Sequence, residues 1–297
     1  MKTLNCYLCH SKKINLIYLL KQWNIYKCDE CSYVFVYPFL SQKKLKKLYL
    51  RFKNNIFEKS DIILRDAKHS LQFINKYKNR RTKLFDVGCG SGIFLAEAAK
   101  YNWEVVGNDI SSTLIDFLKK TFNFDIFKGD FLNINITKRY DIITLNQVIE
   151  HFSRPRLLIK RCHKILNKDG LIYIATPNIS STLSKIMKRN FDYIIPPEHL
   201  SYFNKKTLCD ILISEGFRIL EFNTWSYSVD LAGIIKYFLK KKEKKLLNKK
   251  RSKSEIRWFD TKHFKYVLFD QIFCKALYKL LNINTGGTMI EVIAQKQ

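Results

Sequence analysis

From Lys83 onward, short apolar runs alternate with stretches whose apolar positions recur every three to four residues. The runs are KLFDVG, WEVVGNDI, FDIFKGDF, YDIITLNQV and GLIYIATP, and the helical patterns fall near 92–101, 112–122 and 153–167. Continuous apolar runs between amphipathic helices predict parallel βαβ units in a sheet covered on both faces. GFRILEFNTW and the terminal GGTMIEVIAQ add two more strands. Upstream, 41–79 places apolar residues at helical spacing (Leu45, Leu48, Tyr49, Phe52, then Ile63, Ala67, Leu71, Ile74), which predicts two helices. The predicted organisation is a small unit at 1–40, a helical linker or lid at 41–80, and an α/β core at 81–225 and 285–297. A basic helical insertion at 226–284 precedes the last strand.

The unit at 1–40 is defined by cysteines. Cys6-x2-Cys9 and Cys28-x2-Cys31 are two knuckles eighteen residues apart, separated by strand-like INLIYLLKQWNIYKC. That spacing brings four thiolates around one tetrahedral zinc ion, and four sulfurs leave no open position for catalysis. Disulfides are the competing explanation, disfavoured by the expected reducing compartment. About forty residues make too small a core to fold alone, so the metal is expected to supply folding free energy. Cys89, Cys162, Cys209 and Cys274 share no spacing pattern and read as small core residues.

Composition narrows the class. The 297 residues are 46% hydrophobic and 14% aromatic, enough for a sizeable core, while 10 Gly and 5 Pro exclude collagenous or low-complexity character. No apolar stretch approaches the ~20 residues of a bilayer span. MKTLNCYLCHSKK has no apolar segment after its basic start, so the expected address is cytoplasmic. A formal charge of +27 attracts nucleic acid, anionic membrane or acidic ligands. The bases are 41 Lys and only 12 Arg, which fits generic surface lysine better than a surface built to grip phosphate. The run KKKEKKLLNKKR (240–251) follows apolar DLAGIIKYFL. A solvated helix face is the bland reading, and peripheral contact with an anionic membrane is the alternative.

The most informative segment is KLFDVGCGSGIFLAEAAK (83–100), a strand, three glycines at Gly88, Gly90 and Gly92, then a helix. Such a turn lets a ligand approach the backbone and offers helix N–H groups to an anion. Asp86, inside the strand end, suits an ammonium group better than a pyrophosphate. Asp109 follows Gly88 by twenty-one residues, where an acid can accept both ribose hydroxyls, and Asp130 in KGDF is placed to meet an adenine amino group. Singly, each aspartate reads as a cap or turn residue. Together, three acids at successive strand ends converge on one crevice.

FDVGCGSG, VVGNDIS, KGD and YDIITLNQVIEHFSRPRLLIKRCHKILNKDGLIYIATPN together resemble the class I S-adenosylmethionine-dependent methyltransferases, over roughly 83–222 plus the terminal strand. The branch with an N-terminal CxxC…CxxC ribbon is the most similar, and its members often modify sugars and other small metabolites. The resemblance implies a Rossmann-like, seven-stranded, mostly parallel sheet with an antiparallel last strand. It implies that Gly88 and Gly90 flank the methionine moiety, that Asp109 with Ile110 holds ribose, and that Asp130 with Phe131 lies beside adenine. Asn146 and Gln147 would line the methyl-transfer side.

Methyl transfer asks the enzyme to position an acceptor and remove its proton. His151, after Glu150, and His199, in PPEHLSYF, are the candidate bases, against the bland reading of structural hydrogen-bonding histidines. The Glu150–His151 pair is similar to quinone-pathway O-methyltransferases, where a Glu three residues earlier completes a metal site. Gln147 stands there instead, which argues against metal-dependent catechol chemistry. The expected acceptor is a small molecule, with a sugar, nucleotide-sugar or glycan precursor leading. An RNA methyltransferase would account for ribbon and charge, but the chain shows no Arg/aromatic interleaving. A Pro-Pro-aromatic amino-methylation box is also missing after the fourth strand, which reads LNQVIEH. A non-catalytic nucleotide-binding scaffold is the third reading.

Overall fold

The structure is a computed structural model, and it describes residues 4–20, 22–40, 44, 45, 48, 60–77, 82–226 and 286–297. The lysine run, the membrane reading, Cys274 and, apart from Ser226, the insertion at 226–284 lie outside the described residues. Of the first predicted helix only 44, 45 and 48 are described, all helical.

The N-terminal unit is a meander of β1 (Ile14–Leu19), β2 (Asn24–Cys28) and β3 (Val34–Tyr37), each antiparallel to the next. Helix α1 (Ser60–Ile74) matches the second predicted helix of the linker. The core then alternates as the pattern requires. In order come β4 (Lys83–Val87), α2 (Ile93–Ala99), β5 (Glu104–Asp109), α3 (Ser112–Phe122), β6 (Asp125–Lys128), β7 (Tyr140–Asn146) and α4 (Pro155–Ile165). They are followed by β8 (Leu166–Pro177), α5 (Thr182–Met187), β9 (Ser201–Tyr202), α6 (Lys205–Ser214), β10 (Phe217–Trp225) and β11 (Met289–Lys296).

Seven strands form one sheet in the order β10-β11-β8-β7-β4-β5-β6, with β11 antiparallel to both neighbours and the rest of the core parallel. Alternation along each strand supplies two cores. Phe85, Ile143, Leu145, Ile172, Ile174 and Val292 pack on one face with α4 and α6. Leu84, Ile142, Leu171, Tyr173 and Ile293 pack on the other, under Leu71 and Ile74 of α1 and Leu95 of α2. Both faces being covered explains why these strands read as nearly continuous apolar runs.

The ribbon joins the core directly. β3 pairs antiparallel with the two-residue β9, making a four-stranded sheet. Tyr33 and Phe35 lie in the same apolar cluster as Phe85 and Phe203. The Tyr33 hydroxyl meets Ser201 Oγ at 2.5 Å, and Ser201 Oγ donates to Phe152 O at 2.6 Å. The short β9 carried no pattern in the sequence. Two residues are too few for a period, and the pairing partner lies far away in the chain.

Candidate active site

The β4–α2 turn is left-handed at all three glycines, with φ of 66° at Gly88, 52° at Gly90 and 74° at Gly92. They serve different ends. Gly88 is exposed at the crevice, whereas Gly92 is buried as the N-cap of α2. A Cβ at Gly92 would lie 2.2 Å from Leu118 Cδ2, so this glycine lets α3 pack on the turn. Packing alone therefore already requires a glycine at Gly92.

Asp109 ties the turn to β5. Its Oδ2 accepts from Gly90 N at 3.1 Å and its Oδ1 from Ser111 N at 2.7 Å. Two further bonds close the strand ends together. Cys89 N donates to Asn108 O at 2.9 Å, and Asn108 Nδ2 donates to Gly129 O at 3.0 Å. Asp130 spends both oxygens on its own loop, accepting from Leu132 N at 3.0 Å and Asn133 Nδ2 at 3.1 Å. Ile110 is half-buried. The Phe131 side chain packs in the core, against the Phe85 ring and under the Arg161 guanidinium.

Asp86 sits beneath the turn, 3% exposed. Thr144 Oγ1 donates to it at 2.6 Å and Asn146 Nδ2 approaches at 3.5 Å. Burial pushes its carboxyl up to about 7, opposed by those two donors and reinforced by the nearby charge of Asp109. A ligand ammonium would reverse that penalty. Gln147 follows, exposed, in a left-handed conformation with φ of 52°, its N–H held by Ala175 O at 2.8 Å.

Glu150, His151 and His199 come together from the turn after β7 and the loop before β9, with ligand-capable atoms within 4.8 Å of one another. The two imidazole rings meet edge-on, 5.0 Å apart. His151 Nδ1 pairs with Glu198 O and His199 Nδ1 with Tyr193 O, each at 2.9 Å; a carbonyl only accepts, so both rings donate from Nδ1. Burial lowers the pKa of His151, and burial together with His151 takes His199 down to about 3. Burial moves Glu150 the other way, up to about 8, with Thr176 Oγ1 donating to its Oε2 at 3.0 Å. The trio is therefore a neutral, hydrogen-bonding wall at neutral pH, and its three donor atoms could also hold a divalent ion.

The four ribbon cysteines converge as their spacing predicted. Cys6 Sγ lies 3.5 Å from Cys31 Sγ, and Cys9 Sγ 3.5 Å from Cys28 Sγ. Tetrahedral zinc at ~2.3 Å from each sulfur sets sulfurs roughly 3.8 Å apart, so the cluster fits the ion. Leu8 N donates to Cys6 Sγ at 3.4 Å, and each knuckle is closed by a left-handed residue, His10 or Ser32. The contact between the Cys6 and Cys31 sulfurs lowers the Cys6 thiol and raises that of Cys31, so the pair shares a proton when no metal holds it.

One polar group escaped sequence reasoning. Glu291 of β11, with no side-chain exposure, accepts from His69 Nε2 at 3.0 Å, Asn223 Nδ2 at 2.8 Å and the Tyr173 hydroxyl at 3.2 Å. The signal was there: an acid inside MIEVIAQ, in a strand apolar on both sides.

The seven-stranded, mostly parallel sheet with one antiparallel strand is the Rossmann-like fold of the class I methyltransferases. The chain matches the model of a family described as a methyltransferase domain over residues 59–222, and it belongs to that family. It is 28% identical over 155 residues to the ubiquinone biosynthesis O-methyltransferase of Coxiella burnetii, covering 46% of this chain and 64% of the relative. It is 29% identical over 163 residues to the mitochondrial enzyme of that description from Saccharomyces cerevisiae, covering 50% and 52%. The chain thus spans less than two thirds of the length of these curated relatives. A crystal structure described as a SAM-dependent methyltransferase from Archaeoglobus fulgidus superposes with a TM-score of 0.52 at 22% identity, over 86% of this chain and all of that one. A possible histamine N-methyltransferase from Thermotoga maritima gives 0.53 at 15% identity, over 85% and 100%. At these identities the structural likeness shows the fold alone. No helix among the described residues is long and apolar enough to cross a membrane.

Proposed function

We propose that the protein transfers a methyl group from S-adenosylmethionine to a hydroxyl of a small molecule, with a sugar or nucleotide-sugar as the leading acceptor. The observation that carries the reading is the arrangement of polar groups at the carboxyl ends of β4 and β5. There a carboxylate locked to the glycine turn (Asp109) and a buried carboxyl (Asp86) stand on either side of an open backbone. Asp109 would accept the ribose diol, Asp86 the ammonium of the methionine portion, Gly88 and Gly90 the backbone approach, and the loop at Asp130 the adenine edge. Bound there, S-adenosylmethionine supplies an electrophilic methyl on sulfur. Asn146, Gln147 and the Glu150–His151–His199 wall border the acceptor side, the imidazoles neutral and able to orient a hydroxyl. The names of the curated relatives support oxygen as the accepting atom.

Zinc, held by Cys6, Cys9, Cys28 and Cys31, has a structural role in this proposal. It fixes the ribbon whose β3 holds β9 beside His199. The test is calorimetry with S-adenosylmethionine on the parent and Asp109→Ala proteins, paired with mass spectrometry of small molecules gaining fourteen daltons. Equal binding by the two proteins would overturn the cofactor assignment.

A further inference from the structure

We propose that Glu291 and His69 form a carboxylate–histidine dyad at the acceptor end of the site, in which His69 receives the proton released by the acceptor hydroxyl. The inference rests on the methyl-transfer reading above and deepens it.

Sheet register places the dyad. Asn223, Glu291, Ala175 and Asn146 are successive partners across β10, β11, β8 and β7, a single rung near the carboxyl ends of the parallel strands. Glu291 therefore stands on the same rung as Asn146, two strand spacings or about 10 Å away. Two residues down the strand, on the same face, Thr144 pairs with Tyr173 and with Asp86. Polar side chains connect the two ends. The Tyr173 hydroxyl lies 2.9 Å from Ser70 Oγ, Ser70 Oγ lies 3.5 Å from Asn146 Oδ1, and Asn146 reaches Asp86. The row runs from the methionine end of the crevice to His69 on α1, which lies over it.

The geometry suits a base. Glu291 is wholly buried, and its oxygens accept from groups on three elements: His69 on α1, Tyr173 on β8 and Asn223 on β10. Burying a carboxyl costs stability unless it is fully paired, and of its three partners His69 alone carries a titratable ring with 38% of its side chain exposed. Because the carboxylate accepts, His69 donates from Nε2, which fixes the tautomer and leaves the Nδ1 lone pair as the basic site. Trp225 braces the ring at a centroid distance of 4.8 Å. His151 and His199, in contrast, have both been driven away from basicity by burial. The groups facing His69 are Glu291 from β11, Asp66 and Arg65 from its own helix, and the phenol of Tyr173. Glu291 is the largest influence, and with Asp66 it favours the imidazolium, against burial and Arg65.

The step balances. A lone pair of the acceptor oxygen forms the new bond to the methyl carbon, and the carbon–sulfur bonding pair returns to sulfur. The hydroxyl proton moves to His69 Nδ1, and the resulting imidazolium rests against Glu291 until it loses that proton to solvent.

The test compares the parent with His69→Gln, which keeps a donor near Glu291, and with Glu291→Gln. Nitrogen-resolved NMR of the ligand-free proteins reads the His69 tautomer and titration. Transfer of radiolabelled methyl from S-adenosylmethionine to a small-molecule cell extract reads turnover. The expected results are a proton on Nε2 in the parent, a His69 titration moved to lower pH in Glu291→Gln, and an acid limb of kcat/KM moved with it. His69→Gln should transfer roughly 100-fold more slowly or worse, with cofactor Kd within about twofold of the parent. A His69 titration unmoved in Glu291→Gln, or turnover by His69→Gln close to the parent's, overturns the dyad. A parent that binds no S-adenosylmethionine and methylates nothing overturns the methyl-transfer reading instead, and the NMR result still decides the dyad.

Discussion

With the ligand ammonium on Asp86, as proposed, cofactor affinity becomes a function of pH. Its carboxyl titrates at about 7 in the ligand-free protein, against an ordinary 3.8, chiefly because burial penalises the charge. An ammonium placed against it stabilises the carboxylate, so binding below pH 7 must expel a proton. Well below pH 7 each pH unit then costs tenfold, or about 1.4 kcal/mol, and affinity at pH 5 should be roughly 50-fold below that at pH 7, where half the carboxyls are already ionised. The α-amino group of the ligand loses its own proton near ~8, so affinity should peak between these values and fall again above. Calorimetry from pH 5 to 9, in buffers of different ionisation enthalpy, measures both slope and protons. At pH 6 the parent should release close to one proton per ligand and Asp86→Asn none, with only the alkaline limb remaining. Affinity flat from pH 5 to 7 in the parent, or the same acid slope in Asp86→Asn, refutes the assignment. Stability supplies a check of sign. A carboxyl raised on folding binds more protons when native, so its contribution is lost as pH climbs from 3.8 to 7, by up to about 4 kcal/mol. Ligand-free Asp86→Asn should lack that share of the decline.

Other outcomes follow from the packing and the ribbon. Gly92→Ala forces a Cβ against Leu118 in a left-handed conformation and should cost about 2–4 kcal/mol in urea unfolding, part of it recovered beside Leu118→Ala. Tyr33→Phe removes the buried bond to Ser201 and should cost about 1–3 kcal/mol by the same assay. Metal analysis should find one zinc per chain. Its removal by chelator should raise amide exchange in β1–β3 and at Ser201 and Tyr202, whereas unchanged exchange would count against a structural ion.

The chain announced most of its core because βαβ units are local. KLFDVG, WEVVGNDI and YDIITLNQV each became the strand their apolar run predicts, and 112–122 became α3 to the residue. The cysteine clamp was equally visible, since knuckle spacing is itself short-range. What stayed hidden depended on partners distant in sequence. β9 exists because β3 needs a neighbour, and the contact of His69 with Glu291 spans 222 positions. Burial was the other blind spot. Nothing in EHF or PPEHLSYF tells that the surroundings lower the basicity of both histidines, while His69, in an ordinary amphipathic helix, keeps a face to water.

The pairing of β3 with β9 also sets an order of events during synthesis. Val34 meets Tyr202, so the edge of the ribbon stays open until a further 168 residues have been translated. At ~5–20 residues per second that interval is roughly ten to thirty seconds. For that time an unpaired hydrophobic strand edge is exposed on the ribosome, a template for pairing with other chains. A zinc ion captured early by the knuckles would hold the nascent meander in register through the wait. Metal-starved cells should therefore accumulate aggregated newborn chains while leaving already folded molecules intact.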